Sequence, residues 1–405
     1  MSAPALSAFA GYGVELEYMI VDAATLDVMP VADALLGGET DVDRGRYGWS
    51  NEIVLHLVEL KNAAPEPALA PLAAGFQDEV AALVRLLQPL GARLMPTAMH
   101  PWMDPAAETR LWPHAHAAIY QAYDRVFDCR THGQANLQSM HLNLPFANDA
   151  EFARLHAAVR LALPILPALA ASSPLRNGRP SGLLDARMQA YRHAVDRVPA
   201  VIGQVIPDTV ASRADYETRI LAPMYRAIAP FDPGGVLQHE WLNARGAIAR
   251  FDRSALEIRV IDVQECPRAD LAVAAAAGAT IRALYDGRWA TLAAQQRFAT
   301  ESLVAILDAC IRDADAAVID NAAYLQALGF PGRRAEAGEL WRHLVEVHAL
   351  ADDAQWGGPL GVILDHGPLA RRILRALGPN LHRAALREVY GELCDCLESG
   401  RLFVR

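Results

Sequence analysis

The chain has 405 residues, 53 % of them hydrophobic, with 47 acidic against 37 basic residues and a formal net charge of -10. That length suits one large core or two domains, and the acidic balance, with no polybasic cluster, excludes a general nucleic-acid binder, which needs a basic surface to displace counterions. The opening MSAPALSAFA lacks the basic region and apolar core of a signal peptide. The longest apolar run, residues 161–171, is broken by Pro164 and Pro167 and falls short of the roughly 20 residues a bilayer span requires, so a soluble, cytoplasmic protein is expected. Five scattered cysteines without metal-binding spacing read as free thiols of a reducing compartment.

The predicted elements begin with a strand over residues 13–22, "GVELEYMIVD". Further strands are expected at 52–61, 135–144 and 255–263, each rich in branched or aromatic residues. Helices are expected at 71–91, where Phe76, Val80, Leu83 and Leu87 keep helical spacing, and at 150–171 behind a cap at Asn148 or Asp149. Beyond about residue 268 the pattern is helical, over 269–285, 302–316, 335–351, 368–376 and 381–398, with Gly and Pro between segments. Gly234-Gly235 and Gly357-Gly358 read as turns. The expectation is a single α+β domain over 1–405, with a catalytic sheet region at 11–268 continuing into a mostly helical 269–405.

Four of these stretches carry the chemistry. In the first, Glu15 and Glu17 project from one strand face about 7 Å apart, while Val14, Leu16, Tyr18 and Ile20 share the other. Two like charges facing a sheet interior need water or cations; a solvated edge strand would also serve. In "NEIVLHLVELKN", Glu59 interrupts an apolar run, and Glu52 stands seven residues earlier. That odd spacing requires Glu52 to lie in the entering loop or beyond a bulge if both acids face one site; Lys61 could instead pair with Glu59. In "QSMHLNLPF", His141 alternates with apolar residues, as a ligand or as a structural histidine. In "SALEIRVIDVQECP", Glu257 and Arg259 share a face, which suits either an ion pair or a site. Together these strands supply five carboxylates and an imidazole, an oxygen-rich set suited to Mg²⁺ or Mn²⁺ more than to zinc. Neighbouring acids can serve two ions roughly 3.5–4 Å apart, and acids, hard metals and arginine are what phosphoryl transfer needs.

These four blocks, in this order, resemble the glutamate–cysteine ligase type 2 family of carboxylate–amine ligases: its G-x-E-x-E strand, E-x6-E block, H-x-H-type strand and E-x-R-x-x-D strand. "MHPWMDP" and "ALAASSPLRNGRPSGLLDARMQAYR" resemble two intervening segments, and the likeness spans residues 11–268. The resemblance implies a glutamine synthetase-like fold, a cupped antiparallel sheet with helices outside, holding ATP and two or three Mg²⁺ ions. It implies that Glu17, Glu52 and Glu59 hold one ion and that Glu15, His141 and Glu257 hold a second against the ATP phosphates. Arg259 would stabilise the transferring phosphoryl group, and Arg187 would make a second phosphate contact. The implied reaction is ATP-dependent joining of a carboxylate, glutamate's γ-carboxylate in the family, to an amine through an acyl phosphate, as in glutamate–cysteine ligation. The expected partners are these small molecules, with no nucleic acid and no membrane; a homodimer is left open. Lys61, where relatives carry a threonine-containing turn, departs from the pattern and leaves the substrate open.

A guanidino kinase would rely on arginines in place of a Glu-rich cage. A metal-dependent hydrolase would have no use for ATP. A non-catalytic metal- or nucleotide-binding protein on the same fold would pair its strand acids with basic neighbours, and only Lys61 and Arg259 are placed for that. His239 and Trp241, beside Glu240, are candidates for an amine pocket. His114 and His116 read as loop or helix-start residues, and Ser172-Ser173 lacks the surroundings of a nucleophile.

Overall fold

The computed structural model describes residues 5–405. Its centre is an eight-stranded sheet of β1 (Gly13–Asp22), β2 (Asp41–Asp43), β3 (Tyr47–Asn51), β4 (Leu57–Asn62), β5 (Ala92–Met95), β6 (Ser139–Pro145), β7 (Ala247–Arg250) and β8 (Ala255–Asp262). The order is β2-β3-β4-β1-β6-β8-β7, every pair antiparallel, with β5 alongside the second half of β1. This is the antiparallel α+β architecture the sequence led us to expect.

Strict alternation explains the division of the sheet into two faces. Val14, Leu16, Tyr18 and Ile20 of β1, Val58 and Leu60 of β4, Leu142 and Leu144 of β6, and Leu256 and Ile258 of β8 are fully buried or nearly so and join one core. The helices Ala70–Leu87, Asp149–Ala162 and Pro267–Tyr285 close over that face with Leu72, Phe76, Leu155 and an alanine-rich stripe that allows close helix packing. Asn148 caps the second helix by accepting from Glu151 N at 3.0 Å. The segment from Asp149 through a 3₁₀ turn at Pro164 to Ala170 is apolar enough to cross a membrane by composition, but 94 % of its most apolar window is buried inside this fold.

The helical portion after β8 returns to the sheet. Its last helix, Arg383–Ser399, lies along β5 and the helix Ala70–Leu87; Gln77 donates to Leu397 O at 2.8 Å, and Arg93 pairs with Asp395 at 2.7 Å. All five cysteines are free and buried.

Three expectations are corrected. The strand expected at 52–61 is β4, Leu57–Asn62, with Glu52 in the loop after β3; the strand expected at 135–144 starts at Ser139, after a short helix His132–Ala135. Gly357-Gly358 is no turn: it opens the helix Gly357–His366, where a Cβ on Gly357 would stand 2.2 Å from Ala351 O.

Candidate functional site

The polar face of the sheet looks into a cavity of about 620 Å³, within the size range of small-molecule sites. Register brings the acids together. Glu15 of β1 lies opposite His141 of β6 on one side and Lys61 of β4 on the other, and Glu17 lies opposite Glu59. Glu257 of β8 faces Asn143 of β6, one step from His141. Cross-strand partners point to the same face, so alternation and pairing alone gather Glu15, Glu17, Glu59, His141 and Glu257. Glu52 joins the same cavity from its loop, one of the two placements, loop or bulge, that the odd spacing to Glu59 allowed.

His141 is the hub. Its Nδ1 lies 2.8 Å from Glu15 Oε2 and 4.0 Å from Glu257 Oε1, and its Nε2 lies 3.7 Å from Glu17 Oε1. Ser139 donates to Glu17 Oε2 from its N–H at 2.7 Å and its hydroxyl at 2.9 Å, and Asn143 donates to Glu15 Oε1 at 3.1 Å. Burial alone would lower the His141 imidazolium, but the hydrogen bond to Glu15 and the charges of Glu17, Glu15 and Glu257 lift it to about 9. Burial would likewise raise Glu15, yet His141, then Arg259 and Arg253, hold it down to about 2.

Glu59 and Glu52 behave differently. Burial and the charge of Glu15 push Glu59 up to about 7, against the pull of Lys61 and the Ser50 hydroxyl, which donates at 2.7 Å. Burial, then Glu17 and Glu59, push Glu52 well above the carboxylate range. Lys61 relieves Glu59 only partly, because its ammonium sits 2.6 Å from Asp41 on β2 and 3.5 Å from Glu59.

The donor atoms fit hard divalent cations. One ligand atom each from Glu15, His141 and Glu257 lie within 4.8 Å of one another, and so do those from Glu17, Glu59 and His141. The first triad groups the residues expected together. The second puts His141 with Glu17 and Glu59, leaving Glu52 beside the triad and coupled to it by repulsion. A buried carboxylate set whose members raise one another is the environment a divalent ion relieves.

The cationic wall is richer than the sequence indicated. Arg259 Nε lies 2.5 Å from Glu257 Oε1, and Arg250 on β7 lies 3.2 Å from Glu257 Oε2. Arg253 also lines the cavity. Arg250 had no signal in a linear reading; only the hairpin between β7 and β8 brings it to Glu257. Ser139 and Asn143 share the period-2 face of His141 and were legible by the same rule. Arg187 reaches the cavity wall, but its Nε pairs with the buried Asp262, and its terminal nitrogens donate to the Arg259 carbonyl at 3.2 and 3.3 Å. Ser172 and Ser173 hold Asp262 from behind.

Opposite the sheet, Ile119, Tyr120 and Tyr123 of the helix Ala117–Phe127, with Leu137, Tyr191, Val195 and Trp241, supply an aromatic and apolar wall. His239 stacks on Trp241, centroids 6.3 Å apart, without lining the cavity itself, and Glu240 turns away to accept from Phe251 N at 3.0 Å. His100 of "MHPWMDP" is buried outside the cavity, 2.8 Å from Leu26 O. His116 precedes the helix Ala117–Phe127 at its start.

Known proteins resemble this chain in sequence and in fold. A solved glutamate–cysteine ligase from Francisella tularensis, in complex with AMP, superposes with a TM-score of 0.57 at 12 % identity, covering 96 % of this chain and 89 % of that one, a likeness of fold. A protein from Archaeoglobus fulgidus known only as an uncharacterized protein is 30 % identical over 397 residues, 97 % of this chain and all of its own length. A Bradyrhizobium protein (strain ORS 278) named "Putative glutamate--cysteine ligase 2" is 27 % identical over 270 residues, 65 % of this chain and 59 % of that relative. The family model of glutamate–cysteine ligase family 2 matches residues 12–392. With that match across nearly its whole length, the chain belongs to glutamate–cysteine ligase family 2, a family of ATP-dependent carbon–nitrogen ligases.

Proposed function

We propose that this protein joins the γ-carboxylate of glutamate, or of a close analogue, to an amine in an ATP-dependent reaction that passes through an acyl phosphate and releases ADP and phosphate. The observation that carries this reading is the convergence of Glu15, Glu17, Glu52, Glu59, His141 and Glu257 with Arg259 and Arg250 in one cavity. A hydrolase would use the acids, but it would give no role to a permanent cation locked against the same carboxylates.

Glu15, His141 and Glu257 would hold one divalent ion, and Glu17 and Glu59, with Glu52 nearby, another. Bound there, Mg²⁺ would supply charge neutralisation at the ATP phosphate oxygens. Arg259 is fixed by Glu257 before substrate arrives, so its guanidinium meets the developing charge on the γ-phosphoryl oxygens without reorganising. Arg250, braced on the other oxygen of Glu257, keeps that carboxylate from turning. The substrate carboxylate attacks the γ-phosphorus, which converts a poor leaving oxygen into phosphate; the amine then displaces phosphate. Tyr120, Tyr123, Trp241 and their apolar neighbours exclude water, which would otherwise hydrolyse the activated acid. Lys61 sets a positive charge at the Glu59 side of the cavity, where it favours an acidic substrate.

ADP release from ATP with Mg²⁺ and glutamate, assayed against a panel of amino acids and amines, tests the reading. Release that depends on the amine and disappears in Glu17→Gln is expected. Release no greater than that of Glu17→Gln with every amine would overturn it.

A further inference from the structure

We infer that Arg187 and Asp262 form a clamp that positions Arg259 by holding its backbone carbonyl. The clamp refines the proposed reaction and rests on the role given there to Arg259.

The inference starts from a break in the sheet. Along β8 and β6 the pairs run Glu257 with Asn143 and Ile258 with Leu142, then resume at Ile261 with Met140 and Asp262 with Ser139. Three steps on β8 match two on β6, so one extra residue is inserted and Arg259 and Val260 fall outside the register. A bulge of this kind bends a strand and re-aims a side chain. It also inverts parity. By simple alternation Glu257 and Arg259 would face the cavity and Asp262 the core; after the bulge, Asp262 stands opposite Ser139, whose hydroxyl touches Glu17 and His141 on the cavity side. All three charged residues of "LEIRVID" therefore reach one face.

A bulge left to itself would be free to flex, and here both sides of the Arg259 peptide are held. The Arg259 N–H donates to Gly246 O at 2.9 Å. Position 246 must be small for this approach: a Cβ there would stand 2.5 Å from Val260 Cγ1. The Arg259 carbonyl takes both terminal nitrogens of Arg187. Arg187 is itself buried, its Nε on Asp262 Oδ1 and its own N–H on the Ser173 hydroxyl at 3.1 Å. Asp262 Oδ2 accepts from Ser172 N at 2.8 Å and from the Ser173 hydroxyl at 3.0 Å. The loop 172–173, the helix Ala186–His193 and β8 are thus tied together at the residue whose guanidinium meets Glu257. A planar fork that grips a carbonyl with two nitrogens and a carboxylate with a third is a task for arginine that lysine cannot perform. Arg187 is on this inference a positioning residue, in place of the second phosphate contact that the family resemblance implied.

A double-mutant cycle between Arg187→Met and Arg259→Met separates the two roles. Because misplacing a catalytic group by an ångström costs about a hundredfold, Arg187→Met is expected to lower kcat about ten- to a hundredfold while KM for ATP changes less than about threefold. In the Arg259→Met background, the second substitution is expected to cost nothing further. Independent, multiplying losses in the cycle, or a rise in KM for ATP as large as the fall in kcat, would place Arg187 on the phosphates and overturn the clamp. Hydrogen exchange decides the matter without turnover: Arg187→Met is expected to speed exchange in peptides covering 257–262 while leaving the helix Pro267–Tyr285 unchanged, and unchanged exchange over 257–262 would overturn the clamp. A wild-type protein that releases no ADP would refute the proposed reaction, and the exchange result would still stand or fall alone. If Arg187→Met does not fold, Ser173→Ala, which removes the hydroxyl that donates to Asp262 and accepts from the Arg187 N–H, is expected to give the same pattern at smaller size.

Discussion

Glu257 and Glu265 lie eight residues apart on one stretch of chain, and both are gripped by arginine inside the protein. Glu265 is sealed: its oxygens accept from Arg372 at 2.6 and 3.3 Å and from Phe403 N at 3.2 Å, and both side chains are entirely buried. Arg372 directs its remaining donors to Gly367 O and Phe403 O, so donors and acceptors close on themselves and tie the C-terminal segment at Phe403 to Glu265, two residues before the helix Pro267–Tyr285. Glu257 is open. Arg259 and Arg250 neutralise it, yet His141 and Glu15 stand beside it and Glu17 lines the same cavity, with charge left over. A buried pair that balances itself is structural; one embedded in a surplus of acids is set up to meet something else.

The difference can be broken by substitution, most strongly at the cavity. Arg259→Met is expected to lower turnover about a hundred- to a thousandfold with little change in thermal midpoint; a protein that instead unfolds, with normal turnover per folded molecule, would put Arg259 in the structural class. Glu265→Gln should do the opposite. Stranding the Arg372 charge costs about 3–5 kcal/mol, read by denaturant unfolding, while ADP release per folded molecule stays at the wild-type level.

The surplus of acids also has a signature in metal-free protein. Glu59, raised to about 7 by burial and Glu15, is charged in the unfolded chain at lower pH than in the folded one. Its contribution to stability is therefore full below the unfolded value near 4.5 and is lost as pH climbs through 7. Glu59→Gln should stabilise the metal-free protein by up to about 3 kcal/mol at pH 8 and by nothing at pH 4; equal melting curves at both pH values would contradict the repulsion.

Three histidines outside the cavity sharpen the comparison from the acid side. Burial depresses His56 and His100 to about 4 and His156 to about 3. The unfolded chain takes up protons first, so their contribution is present above about 6.5 and falls as pH drops below it, by about 2 kcal/mol per histidine at pH 5. His156, whose ring nitrogens have no partner among the described residues and which packs on Phe152 and Tyr216, gives the cleanest test: His156→Leu should flatten the acid slope, and an unaltered slope would exclude it as a source.

How far the sequence reached depends on the range of the interaction. The limits of β1 were legible to the residue, because a period-2 pattern is carried within ten neighbours. The helix Asp149–Ala162 was legible from its Asn148 cap and apolar stripe. Parity set Glu52 either in the entering loop or beyond a bulge, and the structure selects the loop, with the strand expected from 52 starting at Leu57. Arg250 was invisible, since its meeting with Glu257 is made by a hairpin pairing with no local mark. The bulge was invisible too: Leu256, Ile258 and Val260 alternate as an unbroken strand would, and only the partner strand shows that one residue is extra. Arg187 was legible as a residue of the site but not in its contacts, which depend on Asp262 having changed face.

The central claim is that Glu15 and Glu17 share a strand face because divalent cations bind over it. A Mn²⁺ titration followed by the loss of the free-ion paramagnetic resonance signal, with and without ATP, on wild type and Glu15→Gln tests this most directly. Saturable binding that ATP tightens and Glu15→Gln weakens at least tenfold is the predicted result. Equal binding by the two proteins, or none by the wild type, would contradict it.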